Sequence, residues 1–171
     1  MPSEIRLARI REAGAIARLS RDQVEAGLPW RWTPERVRRC MREPAVNAIV
    51  AAAGTELLGF ALMHYLEAEA HLLLLAVDPG HRREGIGRAL VGWLEATALV
   101  AGIGTIRLEV RAANGGARAF YRELGYREGR TLPGYYEGRE AALGMARRLW
   151  SPSAEAAGQV RALLLNWRPQ G

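Results

Sequence analysis

The chain has 171 residues, 49% of them apolar and 25% charged, the size and composition of one globular domain. Its formal charge is +6 and all 24 basic residues are arginine; they are scattered from Arg6 to Arg168 rather than gathered in a block, so a nucleic-acid partner is not expected. The apolar runs fall well short of the ~20 residues of a membrane helix, and Met1-Pro2-Ser3-Glu4-Ile5-Arg6 lacks the basic start and apolar stretch of a secretory signal, which points to a cytoplasmic protein without a membrane partner.

Glu4 to Ile10 has the short alternation of a strand, and Ile16, Leu19, Gln23 and Val24 follow at near-helical spacing within Glu12 to Glu25. Gly27-Leu28-Pro29-Trp30-Arg31-Trp32 reads as a loop. Thr33 then caps a second helix whose first position is Pro34, where a missing N–H costs nothing; it should fade near Pro44. Asn47 to Ala53 and Leu57 to Leu66 are apolar runs around Gly54-Thr55-Glu56, the pattern of an antiparallel hairpin. His71 to Val77 is almost wholly apolar, as a central strand would be.

Ile86, Leu90, Trp93, Leu94, Thr97 and Val100 mark one face of a long helix running to about Ala101 and stopped at Gly102. Thr105 to Val110 reads as a strand, Ala117 to Leu124 as a short helix ended by Gly125, and Tyr126 to Arg130 and Ala141 to Arg148 as two further strands. The order is α/β, with residues 1–150 as the domain. After Pro152, the tail 151–171 places Ala156, Val160, Leu163, Leu164 and Trp167 on one helical face, expected to dock on this subunit or to join a second copy in a homodimer. Cys40 cannot form an internal disulfide and reads as structural, and His64, His71 and His81 have no metal-ligand spacing.

The most informative stretch runs from Val77 to Leu90, where a buried strand is followed by a turn and by glycines that open the long helix. The first N–H groups of a helix have no internal partner and carry the positive end of its dipole, so they bind phosphate oxygens, and glycine admits a ligand close to the backbone. Arg82, Arg83 and Arg88 add charged donors. A Walker loop would need a lysine, which this chain lacks, and the dinucleotide fingerprint would need a third glycine where Leu90 stands.

Arg82-Arg83-Glu84-Gly85-Ile86-Gly87 after an apolar strand resembles the (Gln/Arg)-x-x-Gly-x-(Gly/Ala) signature of the Gcn5-related N-acetyltransferases (GNAT). Leu108-Glu109-Val110-Arg111, Asn114 with Ala117, and Tyr121 with Gly125-Tyr126 are similar to motifs of its branch that acetylates protein N-termini, the ribosomal-protein-alanine N-acetyltransferases. Gly134-Tyr135-Tyr136 and Gly138-Arg139-Glu140-Ala141 resemble closing elements of the same branch, although the interval between Tyr136 and Gly138 looks shorter. The resemblance spans roughly Ile5 to Leu149. It implies the GNAT fold, a mixed and mostly antiparallel sheet flanked by helices. It also implies acetyl-CoA as cofactor and transfer of acetyl to a primary amine such as a protein N-terminus; a small-molecule amine acceptor and an acyl-CoA sensor without turnover are the alternatives.

Carried onto this sequence, the family pattern puts the pyrophosphate of coenzyme A on the amides of Arg82, Arg83, Glu84, Gly85, Ile86, Gly87 and Arg88. It puts the pantetheine arm along Leu75, Ala76 and Val77, with a main-chain N–H near Val77 as oxyanion donor. Glu109 becomes the base; the bland alternative is a carboxylate held in an ion-pair row between Arg107 and Arg111. Tyr121 becomes the acid beside the cofactor sulfur, since a phenol near 10 stays protonated where a thiol near 8.5 leaves; alternatively it only packs on the sheet. Asn114 contacts the cofactor or is merely a helix cap. Trp30 and Trp32 stand where the family builds its acceptor wall, or simply anchor a helix pair to the core.

Overall fold

The computed structural model describes residues 3–150; the tail expected to form a helix lies outside them. Strands β1 (Glu4–Leu7), β2 (Val46–Ala53), β3 (Glu56–Tyr65), β4 (Glu69–Val77), β5 (Thr105–Arg111), β6 (Arg127–Tyr136) and β7 (Glu140–Arg148) form one sheet in the order β1-β2-β3-β4-β5-β7-β6. Helices α1 (Ala13–Gln23) and α2 (Pro34–Met41) cover one face, and α3 (Ile86–Val100) and α4 (Gly115–Glu123) the other. Every pairing is antiparallel except β4 with β5, which are joined by the α3 crossover that parallel strands require.

The helix ends follow the local chemistry. The Thr33 side chain accepts from the Arg36 N–H, and Pro34 opens α2. Asn114 caps α4 by accepting the Ala117 N–H at 3.0 Å, so α4 begins at Gly115, two residues before the apolar spacing suggests. Cys40 is buried on α2, where burial pushes its thiol up, in keeping with a structural residue.

β6 is the largest departure from the sequence reading, because it runs on through Pro133 to Tyr136. Proline is tolerated there since β6 is the edge strand, and the register shifts between Glu128 and Thr131 and again between Leu132 and Tyr136. The core lies in two layers. Ile106, Leu108 and Val110 of β5 meet Leu90 and Leu94 of α3 on one face, while Phe60, Leu62 and Leu74 meet Ile16 and Val37 on the other.

Two features of β4 position the site. Its pairing with β3 shifts register beside Leu73, Leu62 lying opposite Leu74 and Met63 opposite Leu72. The extra residue resets the alternation, so that Ala70 and Leu72 and then Leu75 and Val77 pack toward α3, while Leu73 and Leu74 pack toward α1. On its other edge β4 pairs with β5 only from Glu69 to Leu72; beyond the rung Leu72 to Leu108 the two parallel strands part. Among the described residues, no helix is long and apolar enough to cross a membrane.

Candidate active site

The parting of β4 and β5 opens a cavity of about 140 Å³ lined by Leu72 to Leu75, Leu108 to Arg111, Asn114, Tyr121 and Tyr136. A second cavity of about 630 Å³ lies toward the α1–α2 loop and is lined by Glu25, Trp32, Arg36, His71, Glu109 and Tyr135, among others. Glu109 lines both. The fork in the sheet therefore joins two chambers, one beside α4 and one under the loops, with a carboxylate between them.

Glu109 is half-buried on the β5 face opposite Ile106, Leu108 and Val110. Its partners only partly match the ion-pair row considered from sequence. Arg107 does donate to it, at 3.2 Å, while also bonding Glu69 at 2.9 Å. Arg111 turns instead to Glu140, 3.6 Å away. The strongest partner comes from the neighbouring strand: His71 Nε2 lies 2.5 Å from Glu109 Oε2. Burial pushes the Glu109 carboxyl up, but the His71 hydrogen bond and the charges of His71 and Arg107 outweigh it and hold the group below its ordinary range.

His71 is the functional candidate that sequence reasoning missed, having been considered only as a metal ligand. Its Nε2 faces a carboxylate, which makes this nitrogen the one that carries a proton. The ring is largely buried, with 19% of the side chain exposed, and lines the larger cavity. Among the described residues, no group of three His, Cys, Asp or Glu side chains is placed to hold a metal ion.

Tyr121 lies across the fork on α4, edge-on to Phe120 at 5.0 Å and to Tyr126 at 5.6 Å. Burial, with a smaller contribution from Tyr136, raises its phenol well above the usual tyrosine range. The proton therefore stays on it at any working pH. Tyr136 is itself pushed up to about 12, chiefly by burial, and lies near the half-buried Arg111, whose guanidinium is 5.9 Å from the ring.

Below the fork the chain turns from β4 into α3. The N–H groups of residues 83–88 donate to no other main-chain group among the described residues; the first bond of the helix is Ala89 N–H to Gly85 O at 3.0 Å. Gly85 sits at the helix cap with φ 81°, a conformation that side-chain-bearing residues adopt at a cost, and the space its Cβ would occupy is open. At Gly87 a Cβ would lie 3.1 Å from the Phe120 ring, so the missing side chain also lets α3 and α4 close together. Arg82 is drawn back to Gln23 of α1 at 2.5 Å, while Arg83 and Arg88 remain exposed beside the open donors.

The acceptor side is organised by a second group that sequence reasoning missed. Glu25 is only 7% exposed, and its carboxylate accepts the N–H groups of Arg31 at 2.7 Å and Trp32 at 3.1 Å, with the Ser20 hydroxyl at 3.3 Å. This holds the loop after α1 over the larger cavity. Trp30 and Trp32 pack against the α1–α2 core, as the anchoring alternative expected, yet Trp32 also forms cavity wall. Across the opening, Arg31 bonds Glu137 at the tip of the β6–β7 hairpin, the short interval noted in the sequence.

Comparison with known proteins agrees with this geometry. The model of the acetyltransferase (GNAT) family matches residues 15–126. The chain belongs to that family. The [ribosomal protein bS18]-alanine N-acetyltransferase of Escherichia coli K12 is 42% identical over 90 residues, covering 51% of this chain and 61% of that protein; the chain thus spans about three fifths of this relative's length. Two crystal structures are alike over nearly the whole described fold. Ard1 from Thermoplasma volcanium has a TM-score of 0.78 at 27% identity, covering 88% of this chain and 100% of that one. The ribosomal-protein-S18-alanine N-acetyltransferase from Escherichia coli has a TM-score of 0.77 at 27% identity, covering 89% and 97%. The mixed, mostly antiparallel GNAT sheet expected from the sequence motifs is the fold observed.

Proposed function

We propose that this chain is an acetyl-CoA dependent N-acetyltransferase that acts in the cytoplasm on the α-amine of a peptide or protein N-terminus. The observation that carries the reading is the row of unspent main-chain donors at residues 83–88, at the positive end of α3 and next to the parted strands. That row suits a diphosphate, Gly85 leaves room above it, and the fork suits an extended arm running from it toward Glu109. Bound acetyl-CoA would supply an activated acetyl thioester.

The chain's own residues would do the rest. The amides from Arg82 to Arg88, with the Arg83 and Arg88 side chains, hold the diphosphate, and the β4 edge at Leu75, Ala76 and Val77, freed of β5, binds the arm and presents an oxyanion donor. Asn114 spends its oxygen on capping α4 and keeps its NH₂ for the same cleft. His71 takes the acceptor proton on Nδ1, because imidazole is the side chain matched to proton exchange near neutral pH. Glu109 fixes the tautomer and stabilises the imidazolium. Tyr121, whose phenol stays protonated, would donate a hydrogen bond that stabilises the departing sulfur.

An α-amine titrates near 8 and a lysine amine near 10.4, so the α-amine asks far less of this base. The names of the relatives that act on a ribosomal protein's alanine support the same acceptor class. Thiol release from acetyl-CoA, followed with peptides bearing free N-termini and with a panel of amino acids, polyamines and aminoglycosides, tests the proposal. Preferential turnover of the peptides is expected. Preferential turnover of small amines would overturn the acceptor class, and cofactor binding without any turnover would overturn the enzyme.

A further inference from the structure

The larger cavity contains three carboxylates and two guanidinium groups at its wall. Glu25 is spent on the main chain of Arg31 and Trp32, Glu109 on His71 and Arg107, and Glu137 on Arg31. Arg31 is thereby neutralised as well. Arg36 is the exception: it lines the cavity, is exposed, and has no acidic partner among the described residues. It is nonetheless held in place, because its guanidinium lies 4.2 Å from the centre of the Trp32 ring, and Trp32 is fixed through its N–H by Glu25. Cation–π stacking orients the group and leaves its N–H donors free.

His71 and Glu109 line this cavity together with Arg36 of α2, and the proposed reaction puts the amine beside the first two. Arg38, Arg39 and Arg42 extend the positive charge along the same helix and its cap, against Glu35 and Glu43. Resting on the acceptor class proposed above, we infer that Arg36 is a specificity residue that favours acceptor peptides carrying a carboxylate downstream of the amine. An acidic side chain meets Arg36 in bidentate fashion, and a basic one meets an uncompensated like charge.

The source of the carboxylate is the side chain of an acidic residue rather than a free C-terminus. The two are separated by C-terminally amidated peptides in which one Asp is moved from the second to the fifth position, set beside neutral and Arg-bearing counterparts and beside short peptides with free carboxyl ends. kcat/KM should be about fivefold higher for Asp at its best position than for the neutral peptide, the advantage shrinking with added salt. In the R36Q variant the Asp-to-neutral ratio should fall to near one, a readout that a merely structural loss would leave intact. Equal use of the charged and neutral peptides, a ratio unchanged in R36Q, or a preference confined to free carboxyl ends would each overturn this inference alone. Failure to acetylate any peptide would overturn it together with the acceptor class.

Discussion

His71 and Glu109 lie 2.5 Å apart across β4 and β5, and the last rung those strands share, Leu72 with Leu108, immediately follows. The pair thus sits at the apex of the fork, with Glu109 facing both cavities and His71 the larger one. Replacing His71 with Gln should lower kcat about a hundredfold. Full activity in H71Q would remove His71 as the base.

Glu109 also contributes to stability, with a definite sign. Its folded-state pKa is depressed, so its contribution is present above the unfolded carboxylate value and is lost as pH falls through the folded one. The E109Q variant should therefore be less stable than the parent near neutral pH, the gap closing below about pH 4. Urea unfolding at several pH values measures this. A gap that widens in acid would contradict the ion-paired carboxylate.

Tyr121 should separate binding from chemistry. The Tyr121→Phe variant keeps the edge-on ring contacts and loses only the hydroxyl, so acetyl-CoA affinity by calorimetry should hold while kcat drops about a hundredfold. Full activity would leave Tyr121 as a packing residue.

Gly85 and Gly87 should fail differently. An alanine at Gly85 must adopt φ 81° at a cost of about 1–2 kcal/mol; relaxation of that strain disturbs the donor row and should weaken acetyl-CoA binding about tenfold. An alanine at Gly87 instead presses on Phe120, so its main effect should be a lower Tm. Binding lost equally in both variants would remove the distinction.

Much of the frame was legible because its signals are local. Thr33-Pro34 announces α2, Gly54-Thr55 the hairpin, and Gly85 with Gly87 the start of α3, each within a few residues of the structure it determines. The full extent of β6 was hidden by Pro133, which reads as a break unless the strand is known to lie at the sheet edge. His71 was hidden because its partner is 38 residues away and it only opens a run of four leucines, so nothing in its own segment marks it. Glu25 looked like an ordinary carboxylate at a helix end; only the fold brings the N–H groups of Arg31 and Trp32 onto it. The Arg31 to Glu137 contact spans 106 residues and has no local trace. The Leu108-Glu109-Val110-Arg111 motif marked Glu109, but its neighbours Arg107 and Arg111 suggested a row, whereas Arg111 pairs with Glu140 across the β5–β7 ladder.

The central claim is met most directly by one peptide that offers both a free N-terminal α-amine and an internal lysine. It is incubated with acetyl-CoA and the protein and then sequenced by fragmentation mass spectrometry. Acetyl on the first residue, with the lysine unmodified, is the predicted result; acetyl on the lysine, or an unmodified peptide, would contradict it.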